Sequence, residues 1–185
     1  MKHPVSPSLA SVGKHLKVVL GEAVVASSAA TFSALVLEVP VWAMFVGWLA
    51  FFTRGLNLRH GVVNLACVLL GVGIGIGAAY TLSAVGPHLG AYAITAVVFL
   101  ITAITLSLAK VPVFNNLLGF FLGLVAYFAS HLPPSLGTLV QLGSAAAVGA
   151  TAALLAHAWQ RWLNADDSSA STSMAAFGPA ASSSH

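Results

Sequence analysis

Glu22 is the residue in this chain best placed to do chemistry. It stands inside the first long apolar stretch, and a carboxylate within such a stretch is rare and usually faces a cavity or a partner. At 1.5 Å of helical rise per residue it lies about 7 Å in from the stretch's basic end. Asn64 falls at a similar depth in a later stretch, four residues past His60, and Asn115 and Asn116 open another. Together these side chains predict a polar vestibule open to one side. It would hydrogen-bond a small solute or, through Glu22, carry a proton. The competing reading pairs Glu22 with Lys17, Arg54 or Arg59 and gives it only an orienting role.

Aromatic residues offer a second feature. Phe45, Trp48 and Phe52 share one face of a helix by their three- and four-residue spacing. Phe120 and Phe121 fall at the matching depth of a later stretch. Trp48 and Phe120 are therefore candidates to line a constriction, with simple packing as the alternative. Trp42, Trp159 and Trp162 fall where apolar stretches end, as interfacial anchors do.

Other chemistry is excluded by spacing. The seven His residues include no HxxxH or HExxH pair, and the single Cys67 supplies no thiolate pair, so no metal and no cofactor are expected. No GxSxG elbow accompanies the Ser and His residues, so no enzyme is expected. Gly71-x-Gly73-x-Gly75-x-Gly77 follows no strand and is not a phosphate loop. Its use is close packing: Gly71/Gly75 and Gly73/Gly77 are small-xxx-small pairs, echoed by Gly143/Ala147 and Ala145/Gly149. This predicts that the third and sixth stretches cross each other or meet neighbouring protomers.

These residues need helices in lipid to hold them. Of 185 residues, 58% are hydrophobic and 6% charged, against about 25% charged in a soluble domain. That excludes a soluble enzyme, a nucleic-acid binder and a disordered chain. The net charge of +3 comes from scattered basic residues, not from a patch. Six apolar stretches emerge: 16–37, 39–53, 61–85, 91–109, 113–129 and 139–162. Pro40 and Pro112 read as helix starts, where proline breaks no hydrogen bond. Lys14 and Lys17 before an apolar run resemble a signal peptide, but Glu22 interrupts the run and its length suffices to span. With six crossings and the N-terminus inside, Lys2, Lys14, Lys17, Arg54, Arg59, Lys110 and Arg161 all face the cytoplasm, and Glu38, His88 and His131 face out. The positive-inside rule prefers this to two re-entrant half-helices.

The chain also reads as a duplication. Val39-Pro40-Val41-Trp42 recurs as Val111-Pro112-Val113-Phe114, Gly47-Trp48 as Gly119-Phe120, and Gly77-Ala78 as Gly149-Ala150. Three spans per copy is an odd number, so the second copy enters the membrane inverted, as in many transporters. The predicted fold is all-α: six transmembrane helices in two inverted three-helix repeats, 16–85 and 91–162, within a domain over 14–163. A cytoplasmic tail at 1–13 and a Ser/Ala-rich cytoplasmic tail at 164–185, disordered or loosely held, are expected to flank it.

The strings VPVWAMFVGWLAFF, GVGIGIGA and GPHLGAYAIT, set in six short spans over 18–162, resemble the DUF1097 group of small bacterial inner-membrane proteins, a domain of unknown function. The resemblance implies a bacterial inner-membrane location and assigns no functional residue. The expected function is a channel or facilitator for a small uncharged or weakly polar solute, since no ring of fixed charge marks an ion pore. A proton-coupled carrier using Glu22 and a non-transporting scaffold are the alternatives. The expected partners are the lipid bilayer, the solute and, because one protomer makes a thin bundle, further copies of the chain; no nucleic acid is expected.

Overall fold

In a computed structural model the chain is described over residues 9–176, with side chains over 12–165, and the described residues fold entirely as helices joined by turns. In order these are α1 (Leu9–Leu35), α2 (Val41–Phe52), α3 (Leu58–Leu89), α4 (Tyr92–Leu108), α5 (Leu117–Ser130) and α6 (Leu136–Ala176). Three stretches, Val12–Leu35, Leu58–Leu89 and Leu136–Ala165, are long and apolar enough to cross a bilayer by length and composition. The other three helices are shorter. The 12 residues of α2 and the 14 of α5 rise about 18 and 21 Å, against roughly 30 Å of hydrocarbon.

Several boundaries depart from the sequence reading, each for a local reason. Pro112 does not open α5. The chain turns between Lys110 and Asn115, and Asn116 caps the helix instead, accepting a hydrogen bond from the Gly119 N–H. Asn satisfies that otherwise orphaned donor, which proline cannot do. The expected break at Gly86-Pro87-His88 is helical, since α3 runs on to Leu89. Pro87 lies in the last turn, where its ring removes a single hydrogen bond, and the chain leaves through Gly90 at φ +53°. Helix α1 already begins at Leu9, and residues 1–8 lie outside the described residues. The backbone of α6 continues through the stretch beyond Asn164 to Ala176. No Gly or Pro interrupts it there. Residues 177–185 lie outside the described residues.

Successive helices alternate in direction, as contacts between distant parts of the chain establish. At one end the Trp159 indole donates to the Lys17 carbonyl, Phe51 at the end of α2 meets His157 of α6, and Asn116 at the start of α5 reaches Thr53 and Asn64. Lys17, Arg54, Arg59, Lys110 and Arg161 all belong to this basic end. At the other end the Tyr80 hydroxyl donates to Pro134, and Glu38 shares a shallow groove with Leu136 and Gly137. Lys2 lies outside the described residues.

The bundle divides into two helix triplets. α2 packs chiefly on α6, with α1 against both; α3 packs chiefly on α5, with α4 against α3. Within each triplet glycines bring backbones into direct contact. A Cβ added at Gly47 would overlap the Ala146 carbonyl, and one at Gly149 the Met44 carbonyl. Across α3 and α5, a Cβ at Gly71 would overlap the Phe120 carbonyl, and one at Gly123 the Val68 carbonyl. The small faces of α3 and α6 are therefore spent chiefly on α5 and α2, where the expectation had them cross each other or meet neighbouring protomers. Gly75 abuts Tyr127 and Gly143 abuts Leu69 of α3, whereas Gly73 and Gly77 face open space. Ala147 lines a small recess with Phe51, Gly61 and Leu65.

The triplets meet along an apolar seam. Val39, Ala43, Val72, Tyr127, Leu142 and Ala145 form one buried cluster, and Ala50, Val68 and Ala146 another. Outside the seam, α4 buries only Ala93, Val97 and Thr105. It leaves Tyr92, Ile94, Val98 and Phe99 more than half exposed, an apolar face of the kind that lipid or a partner covers.

Candidate functional site

The polar centre of the molecule lies at the basic end of the seam, where α2 stops, α3 is two turns along and α5 begins. Asn64 is fully buried and Asn116 is 5% exposed. Asn116 Nδ2 donates to Asn64 Oδ1 at 2.8 Å and to Thr53 Oγ1 at 2.6 Å. Asn64 Nδ2 donates to the carbonyls of Phe51 at 3.3 Å and Arg54 at 3.1 Å. The Thr53 hydroxyl donates to the Ala50 carbonyl at 2.7 Å. Asn116 Oδ1 accepts from the Gly119 N–H at 3.1 Å.

Each bond has a structural cause. α2 ends at Phe52, leaving terminal carbonyls with no helical partner; Asn64 takes up that of Phe51 and, just past the helix end, that of Arg54. Asn116 serves at once as the cap of α5 and the bridge to the other triplet. Cys67, one turn beyond Asn64, is buried with its thiol directed at the Phe114 carbonyl, 3.7 Å away. The cluster joins three helices through two amides whose donors are both used. An apolar interior tolerates such a group because its polar atoms are paired.

Of the residues expected to line one vestibule, the fold brings together only Asn64 and Asn116, and it closes them on each other. Asn115 is exposed on the loop, and Glu22 is half-buried on α1. No ion pair or side-chain hydrogen bond joins Glu22 to another described residue, so the pairing with Lys17, Arg54 or Arg59 is not formed. Trp48 and Phe120 do not face each other across a constriction. Trp48 packs beside Ala29, Met44 and Ala152 on the α1 side, with its ring 6.3 Å from that of Phe52. Phe120 belongs to the other triplet, where it is fully buried with its backbone against Gly71. Opposite placement follows from the shift of α5, which starts at Leu117 and not Val113.

Thr53 and Cys67 were missed as neighbours of the Asn pair. The signal was available in part. Asn116 with Gly119 three residues on has the spacing of an N-cap and its N3 donor, and that spacing places the start of α5 correctly. Nothing in the sequence pairs Asn116 with Asn64, since that contact depends on the crossing of α3 and α5. Among the described residues no group of His, Cys, Asp and Glu is placed to hold a metal ion.

An all-helical chain with three long apolar helices, three short ones and a buried amide pair has the build of a membrane protein. The family comparison agrees: residues 19–159 match the model of DUF1097, a protein family of unknown function. The chain belongs to that family. No curated protein and no solved structure matches it.

Proposed function

We propose that the protein spans the bacterial inner membrane six times, with both termini cytoplasmic, and conducts a small uncharged or weakly polar solute as a homo-oligomer. The observation that carries this reading is the division into two interlocked triplets, α1–α2–α6 and α3–α4–α5. They meet at an apolar seam latched at the basic end by Asn64, Asn116 and Thr53. Within a triplet, backbone-to-backbone contact resists motion; across the seam the clusters are built from side chains. Rocking of one triplet against the other would break the bonds from Asn116 to Thr53 and from Asn64 to the Phe51 and Arg54 carbonyls and open the seam, as alternating access does in inverted-repeat transporters.

The triplets also support an inverted duplication, in a register that sequence strings alone do not give. The crossing of α2 on α6 pairs Gly47 with Ala146 and Gly149 with Met44, and the crossing of α5 on α3 pairs Gly123 with Val68 and Gly71 with Phe120. Val41 then matches Leu117, Phe45 matches Phe121, Gly47 matches Gly123, Ala50 matches Ala126 and Phe52 matches Phe128, and, past two extra residues in the second loop, Leu58 matches Leu136. In this register each triplet takes its third helix from the other repeat. The gathering of Lys17, Arg54, Arg59, Lys110 and Arg161 at one end supports a cytoplasmic orientation for that end.

Stopped-flow light scattering on proteoliposomes, with urea, glycerol and ammonia as solutes, tests the proposal. Flux above empty vesicles for at least one solute is expected, and no flux for any would overturn it. The lack of a hydrogen-bond or ion-pair partner for the Glu22 carboxylate among the described residues favours one second reading, proton-linked uptake. Under that reading Glu22→Gln abolishes pH-dependent uptake, and an unchanged pH profile dismisses it.

A further inference from the structure

We propose that the groove between α1 and α6 at the basic end is a binding site for an anionic phospholipid, an inference that rests on the membrane reading above. The groove encloses about 1030 Å³, at the upper edge of the roughly 300–1,000 Å³ of ordinary ligand sites. Its floor is apolar: Leu20, Val24 and Leu155 line it and are each more than half exposed. It opens on the outer face of the bundle, away from the seam, so its occupant comes from the surroundings of the helices and not along a path between the triplets.

The rim is where the chemistry is. Lys17 lines the groove at its basic end beside Trp159 and Trp162, whose rings lie 5.3 Å apart at 34°. Lys17 is exposed, and no hydrogen bond or ion pair engages its ammonium among the described residues. Gly21 lets the Trp159 ring lie directly on α1, since a Cβ there would overlap the indole. The indole N–H donates to the Lys17 carbonyl at 3.5 Å. One cation and two amphipathic rings at the mouth, with aliphatic side chains below, match a phosphate headgroup above an acyl chain. The lining from Lys17 to Val25 covers about 12 Å along the helix axis, most of one leaflet's half of a roughly 30 Å core. Charge complementarity with Lys17 selects an anionic headgroup over a zwitterionic one, because among the described residues no carboxylate lines the groove to hold a choline or ethanolamine cation.

Brominated lipids report the site directly, because bromine quenches tryptophan on contact. In a Trp42→Phe, Trp48→Phe background the remaining emission comes from Trp159 and Trp162 (the chain has four Trp). The protein is reconstituted in phosphatidylcholine vesicles carrying increasing fractions of brominated phosphatidylglycerol or brominated phosphatidylcholine. The expected result is a preference for phosphatidylglycerol of about fivefold, the factor one lysine gains beside an anionic surface, lost in Lys17→Gln. Equal quenching by the two lipids, or a preference that survives Lys17→Gln, would overturn the lipid site while leaving the membrane reading intact. Failure of both lipids to quench would overturn the membrane reading as well. Val24→Phe, which fills an exposed lining position, is expected to cut quenching by phosphatidylglycerol at least twofold; unchanged quenching places the lipid elsewhere and counts against the site.

Discussion

The Asn64–Asn116 bridge can be broken one amide at a time, and the structure sets the size of the effect. Asn116→Ala removes the cap of α5, which costs about 1 kcal/mol. It also strands Asn64 Oδ1, whose partner is Asn116 Nδ2, in a fully buried position; an unsatisfied buried acceptor costs about 1–3 kcal/mol. The expected loss is therefore about 2–4 kcal/mol. Asn64→Ala frees the carbonyls of Phe51 and Arg54 and is expected to cost about as much. Because the two amides share one hydrogen bond, the double variant should be less damaging than the sum of the singles. The expected coupling is about 1 kcal/mol, within the range of roughly 0.6–1.7 kcal/mol for hydrogen bonds between membrane helices. Asn115→Ala, at the exposed neighbour, should stay within about 0.5 kcal/mol of wild type. The assay is reversible unfolding in mixed micelles, followed by circular dichroism. Additivity of the two single variants to within about 0.3 kcal/mol, or an Asn115 variant as damaging as Asn116→Ala, would refute the bridge.

Two further predictions follow from the packing. Gly47→Ala and Gly123→Ala push a methyl group into a neighbouring backbone and should each cost at least about 1–3 kcal/mol, whereas Gly73→Ala and Gly77→Ala meet open space and should gain up to roughly 1 kcal/mol from helix propensity; thermal unfolding in detergent checks the contrast. Cys67 is buried, so a maleimide should label it slowly in mild detergent and rapidly after denaturation, and equal rates would show that α3 and α5 do not close over it.

What the sequence made legible was the part governed by local rules. Apolar stretches and their punctuation located all six helices, because lipid-compatible segments must be apolar along their length and the breaks carry Pro, Gly and charge. Basic residues pointed to one end of the bundle for the same reason. Missing was what depends on how helices cross. The Gly71/Gly75 pair announced a close approach but not its partner, which is α5 and not α6. The repeat strings beginning at Val39 and Val111 share Val-Pro-Val, yet the helix starts at Val41 and Leu117 do not follow them, because Asn116 is a better cap than Pro112 is a start. The candidate site suffered from the same gap. Depth alone grouped Glu22 with Asn64, whereas rotation about the helix axes decides which side chains meet, and that rotation is set by the glycine contacts.

The arrangement of crossings is tested most directly by labelling single cysteines from one side of the membrane. In a Cys67→Ala background, Asn57→Cys, Val111→Cys and Asn164→Cys sample the basic end, and Glu38→Cys and His131→Cys the other. A membrane-impermeant maleimide applied to right-side-out vesicles is expected to label the last two and leave the first three untouched, with the pattern reversed in inside-out vesicles. Labelling of Asn57→Cys and Val111→Cys from opposite sides would contradict six alternating crossings and, with them, the inverted pair of triplets.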